Sequence, residues 1–344
     1  MGRGMIELFK ITESFDIESR TNEIIPWGNG HINQTYRVIT EFDQASDYLL
    51  QRINTKVFEK VDDLMENMIK VTQHIRSKPD HQQLVSELVP TKAGTLWLQN
   101  ETGAWRMQLF IDDKESFEIA DNEELCRKAG RTYGTFLAAV DEFPVEKLNI
   151  TITKFHDINF RLQQFEEALK LGSSDRIESA KSVIKQVKER AAYFTNMYAT
   201  TLQNLPLRVT HNDTKLNNVL LGENEIGTVI DLDTVMPGFS FFDIGDALRS
   251  IAISAREDEP KLDSINVNTA MKDSFLDGYL SKTEHVLSKQ EISLIPKSGA
   301  YMAYILAVRF LTDYLNGDTY YKTKYQNHNL VRAENQLVVS HILS

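Results

Sequence analysis

The segment that best indicates chemistry is residues 211–218, which read His-Asn-Asp-Thr-Lys-Leu-Asn-Asn and are followed by an apolar run that ends at Asp231. An aspartate in this pattern can orient a substrate hydroxyl and accept its proton, and we assign this role to Asp213. Lys215 lies two residues later and can reach a transferring phosphate. Asn218 and Asp231 offer the hard oxygen ligands that Mg²⁺ prefers. The pattern therefore predicts transfer of a phosphoryl group to a hydroxyl, with Asp213 and Lys215 as catalytic residues.

The flanking residues make this pattern specific. Short runs at 207–209 and 219–221 predict strands on either side of the loop, and the apolar run at 227–230 predicts the strand that delivers Asp231. A plain polar hairpin with Asn and Asp turns is the simplest alternative. A hydrolytic metal centre is a second alternative, with the ligands His211, Asp213, Asp231 and Asp233. That centre requires further histidines nearby, and the sequence has no second clustered His.

Residues 210–220 and 230–238 together resemble the aminoglycoside phosphotransferase and choline kinase superfamily, and they are closer still to its bacterial N-acetylhexosamine 1-kinases. Residues 28–33 and 309–318 are similar to the same subgroup, so the resemblance spans nearly the whole chain. It implies an α+β, bilobal, protein-kinase-like fold with a small antiparallel β-sheet lobe and a larger helical lobe. It also implies transfer of the γ-phosphoryl group of ATP, with Mg²⁺, to the anomeric hydroxyl of N-acetylglucosamine or N-acetylgalactosamine.

The same resemblance implies residues that bind the acceptor. Arg309 and Tyr320 match an arginine and a tyrosine that contact sugar in these kinases, and Thr214 lies beside the base in the matched segment. An arginine among the apolar residues of a helix at 301–315 must be paired or face a cleft. The alternative to sugar contact is a salt bridge from Arg309 to Asp313, four residues later.

The N-terminal part of the chain predicts a strand, a polar turn and a second strand between residues 24 and 39. Gly28 and Gly30 in this turn let backbone N–H groups approach phosphate oxygens closely. An ordinary hairpin turn is the alternative. His31 and Asn33 follow, and in folds of this kind the loop overhangs the cleft, so we expect both side chains to face the sugar.

A strand at residues 48–53 lacks the lysine that kinase folds use to hold the α- and β-phosphates. Gln51 and Arg52 stand there instead. A guanidinium also pairs with phosphate, so Arg52 is a candidate phosphate clamp. It could equally be a solvent-facing arginine on an edge strand. A helix predicted at residues 59–75 offers Glu66 as its partner.

Two further strands, at 94–98 and 104–111, are predicted around a hairpin turn. The second ends at Ile111, where the lobes should join and where kinase-like folds read adenine with backbone groups. We therefore divide the chain into a nucleotide-binding lobe at 1–112 and a catalytic and substrate-binding lobe at 113–344. Helical periodicity in the second lobe predicts helices at 122–140, 160–171, 174–202 and 301–315. Asp243 resembles the family acid that braces the catalytic loop, with a helix N-cap as the alternative.

Composition excludes several classes of partner. The 344-residue chain has a net charge of −11, which disfavours nucleic acid and anionic membranes. Its one cysteine, Cys126, forms no intramolecular disulfide and suits a reducing compartment. The first residues show neither a secretory signal nor a spanning helix. We expect a cytoplasmic enzyme, a monomer or small homo-oligomer, whose partners are ATP and a small sugar.

Two rival functions follow from the same residues. One is a kinase for another small hydroxyl compound: a different hexose, a choline-like amino alcohol or an aminoglycoside. A cationic acceptor would require an acidic, aromatic pocket, and Arg309 and Lys215 argue against it. The other is a catalytically inactive kinase fold that binds sugar. Its expected mark is loss of the base or of a metal ligand, and the sequence retains both.

Overall fold

A computed structural model describes residues 3–28, 32–42 and 45–344. The small lobe contains an antiparallel sheet of five strands and two helices. The helices are α1 (Arg3–Thr12) and α2 (Val61–Arg76). The strands are β1 (Thr21–Pro26), β2 (Gln34–Thr40), β3 (Tyr48–Ile53), β4 (Leu98–Asn100) and β5 (Gly103–Leu109). Their order in the sheet is β1-β2-β3-β5-β4.

The two faces of this sheet serve different layers, because successive side chains of a strand point to opposite sides. On one face Leu50 and Met107 are register partners and pack in a cluster with α1. On the other face Gln51 is the register partner of Arg106, whose guanidinium lies 3.3 Å from the sulfur of Met68 on α2. The second face therefore looks toward α2 and the larger lobe.

The larger lobe is mostly helical. Its helices are α3 (Glu123–Val140), α4 (Ile158–Leu171), α5 (Ser174–Ser179), α6 (Lys181–Thr200), α7 (Ser240–Ile251), α8 (Thr269–Thr283), α9 (Lys289–Leu315) and α10 (His328–Ile342). Its short strands are β6 (Glu115–Ser116), β7 (Arg208–Thr210), β8 (Val219–Leu221), β9 (Thr228–Val229) and β10 (Met236–Gly238). β7 pairs with β10, and the other three form a sheet in the order β6-β8-β9. The predicted α+β, bilobal architecture is confirmed.

Helix packing in this lobe depends on close backbone contact and on one central helix. A Cβ atom at Gly130 of α3 would lie 2.1 Å from the carbonyl oxygen of Phe275 on α8, so only glycine permits this approach. The central helix is α9, where Tyr304, Ile305 and Leu311 are completely buried. These contacts form the rigid base that carries the loops of the site.

The predicted helices differ from the observed ones in two places. The helix expected at 174–202 is divided into α5 and α6 at Ala180. The last predicted helix begins twelve residues earlier than expected, at Lys289, because Ser288 and Glu291 form a capping box. Pro296 lies inside it and argues against a helix from sequence alone. The capping box and the burial of the surrounding apolar residues stabilise the helix by more than the cost of the hydrogen bond that Pro296 cannot donate.

The lobes are joined by residues 110–114, between β5 and β6. The predicted boundary at residue 112 falls in this connection, and Ile111 is half-buried there. Among the described residues, no helix combines the length and apolar character that crossing a membrane requires.

Candidate active site

The loop after β7 is held by one buried carboxylate. Asp243 at the start of α7 accepts hydrogen bonds from the backbone N–H groups of His211, at 2.9 Å, and Asn212, at 2.7 Å. Asn212 has a φ of +63°, so the chain turns sharply before Asp213. The expectation that Asp243 braces this loop is confirmed.

Both ring nitrogens of His211 are engaged by backbone groups. Its Nε2 lies 2.9 Å from the carbonyl oxygen of Ile230, so this nitrogen carries the proton and donates it. Its Nδ1 then accepts the backbone N–H of Asp213 at 3.3 Å. With both ring nitrogens occupied by backbone groups, His211 cannot be a ligand of the hydrolytic centre considered above. The described residues also contain no cluster of three or more His, Cys, Asp or Glu able to hold a metal.

The position and the charge of the Asp213 carboxylate suit a proton acceptor. Its Oδ1 lies 3.2 Å from Nζ of Lys215, and its Oδ2 accepts a hydrogen bond of 2.8 Å from the amide nitrogen of Asn218. Burial alone would raise the pKa of this carboxyl, but the positive charges of Lys215 and Arg249 outweigh burial and lower it. The carboxylate is therefore ionised at neutral pH and partly accessible from the cleft.

Lys215 is held in its charged form beside the base. Burial lowers its pKa, but the carboxylates of Asp213, Glu257 and Asp246 outweigh this effect and raise it well above the ordinary value. Arg249 in turn forms ion pairs of 2.7 Å with Asp246 and with Glu257. These groups keep an ammonium next to Asp213, where it can neutralise charge on a phosphoryl group.

Asp231 and Asn218 fit a divalent cation. The backbone N–H of Ile230 donates to the carbonyl oxygen of Asn218 at 3.0 Å, which joins the two segments. The Asn218 amide nitrogen is turned toward Asp213, so its side-chain oxygen is the atom available to a cation. Asp231 is accessible from the cleft, yet surrounding protein atoms and the charges of Asp233 and Asp213 raise the pKa of its carboxyl to about 7. Clustered acids of this kind are stabilised by a bound cation such as Mg²⁺.

Asp233 is buried and is contacted by two residues of the small lobe. Its carboxylate forms an ion pair with Arg106 of β5, and its Oδ2 accepts a hydrogen bond of 2.6 Å from the amide of Asn33. Asn33 also accepts the backbone N–H of Asn54 at 3.0 Å. This geometry corrects the expectation that Asn33 faces the sugar, because both ends of its amide are used within the protein. Gly28 has a φ of +74° at the start of this loop, whereas Gly30 and His31 lie outside the described residues.

A cavity of about 440 Å³ opens between α4, the end of α9 and the segment after it. Its polar lining includes Arg161, Gln164, Arg309, Thr312, Thr319 and Tyr320. The Arg309 guanidinium lies 4.8 Å from the ring centre of Phe155 and 5.6 Å from that of Tyr321. The structure thus brings Arg309 and Tyr320 into one cavity, as the sequence predicted.

Arg309 makes no salt bridge with any described residue. Asp313, the expected partner, instead accepts backbone N–H bonds from Thr319, Tyr320 and Tyr321 at 2.8–3.0 Å. Burial lowers the pKa of Arg309, but the neighbouring Tyr321, Tyr320 and Asp213 outweigh burial and raise it, so the guanidinium stays charged. A desolvated, unpaired guanidinium is a donor available to a ligand.

The model of the phosphotransferase enzyme family matches residues 23–271 of this chain. The chain belongs to this family. Solved structures with the same fold include a microcompartment-associated aminopropanol kinase, with a TM-score of 0.66 and 15% identity over 98% of this chain and 96% of that one. An amicoumacin kinase in complex with AMP-PNP, Ca²⁺ and its antibiotic has a TM-score of 0.64 and 12% identity, covering 97% and 92%. A choline kinase from Cryptosporidium parvum has a TM-score of 0.59 and 13% identity over 96% of this chain and 94% of that one.

Thr214 and Arg52 are not where the sequence placed them in this phosphotransferase. Thr214 is buried and its hydroxyl donates to the carbonyl oxygen of Asp243, so it supports the loop and does not face an acceptor. Arg52 is exposed on the α1 side of the sheet, 5.8 Å from the ring centre of Trp105. Because the cleft lies on the other side, Arg52 cannot clamp phosphate.

Two polar residues at the lobe interface were missed from sequence. Arg106 lies between apolar neighbours on β5 and is 1% exposed, and a charge within an apolar strand was the available signal. Asn67 of α2 donates to the carbonyl oxygens of Asn149, at 2.8 Å, and Val235, at 3.0 Å. Glu66, the predicted partner of Arg52, instead faces outward and pairs with Lys70.

Asp243→Ala is expected to destabilise this phosphotransferase by about 2–4 kcal/mol, because the buried N–H groups of His211 and Asn212 lose their acceptors. The free energy of unfolding in urea measures the effect. Asp175→Ala, at an exposed position of α5, is the matched control and should change it by less than about 0.5 kcal/mol. Equal stability of the two variants would show that Asp243 does not brace the loop.

Proposed function

We propose that the protein transfers the γ-phosphoryl group of ATP to the anomeric hydroxyl of an N-acetylhexosamine. The products are the sugar 1-phosphate and ADP, and both N-acetylglucosamine and N-acetylgalactosamine are acceptors. The observation that carries this proposal is the cavity between α4 and the end of α9, in which Arg309 presents a guanidinium that has no salt-bridge partner among the described residues. Membership of the phosphotransferase family supports the reaction class, and the polar lining of the cavity supports a sugar as the acceptor.

The residues around Asp213 account for the chemistry. Asp213 accepts the proton of the acceptor hydroxyl as its oxygen bonds to the γ-phosphorus and the bond from the γ-phosphorus to the β-phosphate oxygen breaks. Lys215 lies close enough to balance the charge on the phosphoryl oxygens. Asn218 and Asp231 would hold Mg²⁺, which neutralises phosphate charge when it is bound. Positioning and electrostatics of this kind suffice for a loose phosphoryl-transfer transition state.

The charge of the pocket favours a neutral, oxygen-rich acceptor over a cationic one. Arg161 and Arg309 both line the cavity. Burial, together with the positive charge of Arg309, lowers the pKa of Arg161 to about 10. Two carboxylates share this lining. Asp313 is already engaged by three backbone N–H groups, and Glu167 accepts a hydrogen bond of 3.0 Å from the amide of Gln163. An amino alcohol or aminoglycoside would bring a further positive charge to two arginines. Sugar hydroxyl and acetamido oxygens instead accept hydrogen bonds from a guanidinium.

Arg309→Ala is expected to lower kcat/KM for the sugar by roughly ten- to a hundredfold, since a charge-assisted hydrogen bond contributes about 1.5–3 kcal/mol. KM for ATP should stay nearly unchanged, because the proposed metal ligands Asn218 and Asp231 do not line the cavity that contains Arg309. Arg190→Ala is a matched control: Arg190 is also half-buried, and it lies 5.2 Å from the ring centre of Phe194, between α6 and α10. A raised KM for ATP, with kcat/KM for the sugar unchanged, would contradict the assignment.

The acceptor position is tested with N-acetylglucosamine and its 1-deoxy and 1-O-methyl analogues. We expect ADP release and an anomeric phosphorus signal with the free sugar, and no phosphorylated product from either analogue. Product from an analogue would show transfer to another hydroxyl. Turnover of choline or an aminoglycoside, with none for any N-acetylhexosamine, would assign the protein to the rival acceptor class.

A further inference from the structure

Kinase folds are usually prepared for catalysis by an ion pair between a strand lysine and a helix glutamate. Among the described residues of the small lobe this pair is not formed: β3 has no lysine, and Glu66 of α2 faces outward and pairs with Lys70. Gln51 stands on the cleft-facing side of β3. Across from it α2 presents the sulfur atoms of Met65 and Met68, at 3.9 and 3.3 Å from Arg106. A cation is nevertheless present on this face, supplied by the neighbouring strand β5. Arg106 is the register partner of Gln51 and donates from Nε to its Oε1 at 2.9 Å.

The partner of Arg106 lies in the other lobe. Its guanidinium pairs with Asp233, and the exposed fractions of the two side chains are only 1% and 4%. The second carboxylate oxygen of Asp233 accepts the amide of Asn33 from the loop between β1 and β2. Both oxygens of one large-lobe carboxylate are therefore engaged by the small lobe. A buried charge paired in this way is costly to leave alone, so the contact holds the two lobes in one arrangement.

Asp233 is two residues after the metal ligand Asp231, and the connection between them is rigid. Asp231 has a φ of +59°, in the left-handed region that a non-glycine residue rarely adopts. A single 3₁₀ turn over Leu232–Thr234 follows directly. The hydroxyl of Thr234 closes this turn onto the carbonyl oxygen of His211 at 2.6 Å. Unusual backbone geometry persists only where the surroundings impose it, and the ion pair at Asp233 lies at the centre of this turn.

We propose that the Arg106–Asp233 ion pair positions Asp231 for the metal, in place of the ordering ion pair that β3 and α2 do not form. The inference rests on the proposed kinase function, and it names Arg106 and Asp233 as positioning residues because neither side chain is accessible to a ligand. The ion pair couples the arrangement of the lobes to the metal ligand. When the small lobe is displaced, the turn that carries Asp231 loses its contact with Arg106. Metal use should therefore depend on a strand that lies in the other lobe.

The test is binding of ATP by calorimetry in the absence of any acceptor, repeated over a range of Mg²⁺ concentrations. Asp233→Asn and Arg106→Met should each raise the half-saturating Mg²⁺ concentration by about 10–100-fold, the usual effect of removing a residue that orients a metal ligand. Arg106→Lys, which keeps the charge, should recover part of the loss. KM for the sugar should change little in all three variants. A merely structural role would lower the thermal midpoint and leave the half-saturating Mg²⁺ concentration of the folded protein unchanged.

Two further variants make the result decisive. A double variant, Arg106→Met with Asp233→Leu, removes both buried charges and is expected to fold even where a single variant does not. It should show the same raised Mg²⁺ requirement. Arg52→Met removes an arginine from the opposite face of the neighbouring strand and should bind as the wild type does. An effect of Arg52→Met on MgATP binding equal to that of Arg106→Met would overturn the proposal, as would an unchanged Mg²⁺ requirement in the double variant. Absence of MgATP binding by the wild type would instead refute the proposed kinase function.

Discussion

Asp213→Asn is expected to lower turnover by ~10²–10⁴-fold, the usual contribution of a positioned general base. An amide cannot accept the proton of the acceptor hydroxyl, while its size and shape preserve the contact with Asn218. Affinity for MgATP should change little, because the lost charge faces the acceptor and the metal ligands remain. The measurement is steady-state ADP release at saturating ATP and sugar.

The control for this variant is Asp175→Asn, the same chemical change at an exposed position of α5. It should retain wild-type turnover. Asp213 also pairs with Lys215, so its substitution can affect stability. The thermal midpoint of each variant is therefore compared with that of the wild type before the rates are compared. Near-normal turnover in a folded Asp213→Asn protein would remove Asp213 from the role of base.

Asp231→Ala is expected to abolish Mg²⁺-dependent transfer, with a loss of ~10³-fold or more, since a metal ion supplies several kcal/mol of charge stabilisation. This variant should also weaken MgATP binding, in contrast to Asp213→Asn. Addition of EDTA to the wild type should reproduce the loss, and excess Mg²⁺ should reverse it. Binding isotherms and ADP release over a Mg²⁺ titration measure both effects.

Ordinary kinetics in a folded Asp231→Ala protein, or full activity of the wild type in EDTA, would refute the coordination by Asn218 and Asp231. The Asp213 and Asp231 variants are informative as a pair because they separate two steps. The first affects chemistry after nucleotide has bound, and the second affects the binding of nucleotide with its metal. Identical behaviour of the two would indicate loss of the whole loop.

The sequence by itself predicted the outline of the fold and the residues of the candidate catalytic loop. Asp213, Lys215 and Asn218 lie within six residues, so the short loop between β7 and β8 dictates their proximity. Asp231 follows a buried strand, and the strand patterns predicted β1 to β3 and β5. The strand predicted at 94–98 was misplaced, because β4 is Leu98–Asn100. Arg309 was recognisable as a charge on an apolar helix, which requires a partner or a cleft. Local spacing and burial are sufficient for inferences of this kind.

Only the tertiary structure decided which polar groups face the cleft and which are used within the protein. Arg52 and Arg106 are both arginines on strands of one sheet, and the strand register alone places Arg52 outside and Arg106 at the lobe interface. Asn33 and Thr214 have side chains that suit a sugar, yet Asp233 and the carbonyl of Asp243 engage them. Their partners lie 200 and 29 residues away in the chain. Such contacts depend on how the lobes meet, because a hydrogen bond between distant segments leaves no periodicity in the sequence around either residue.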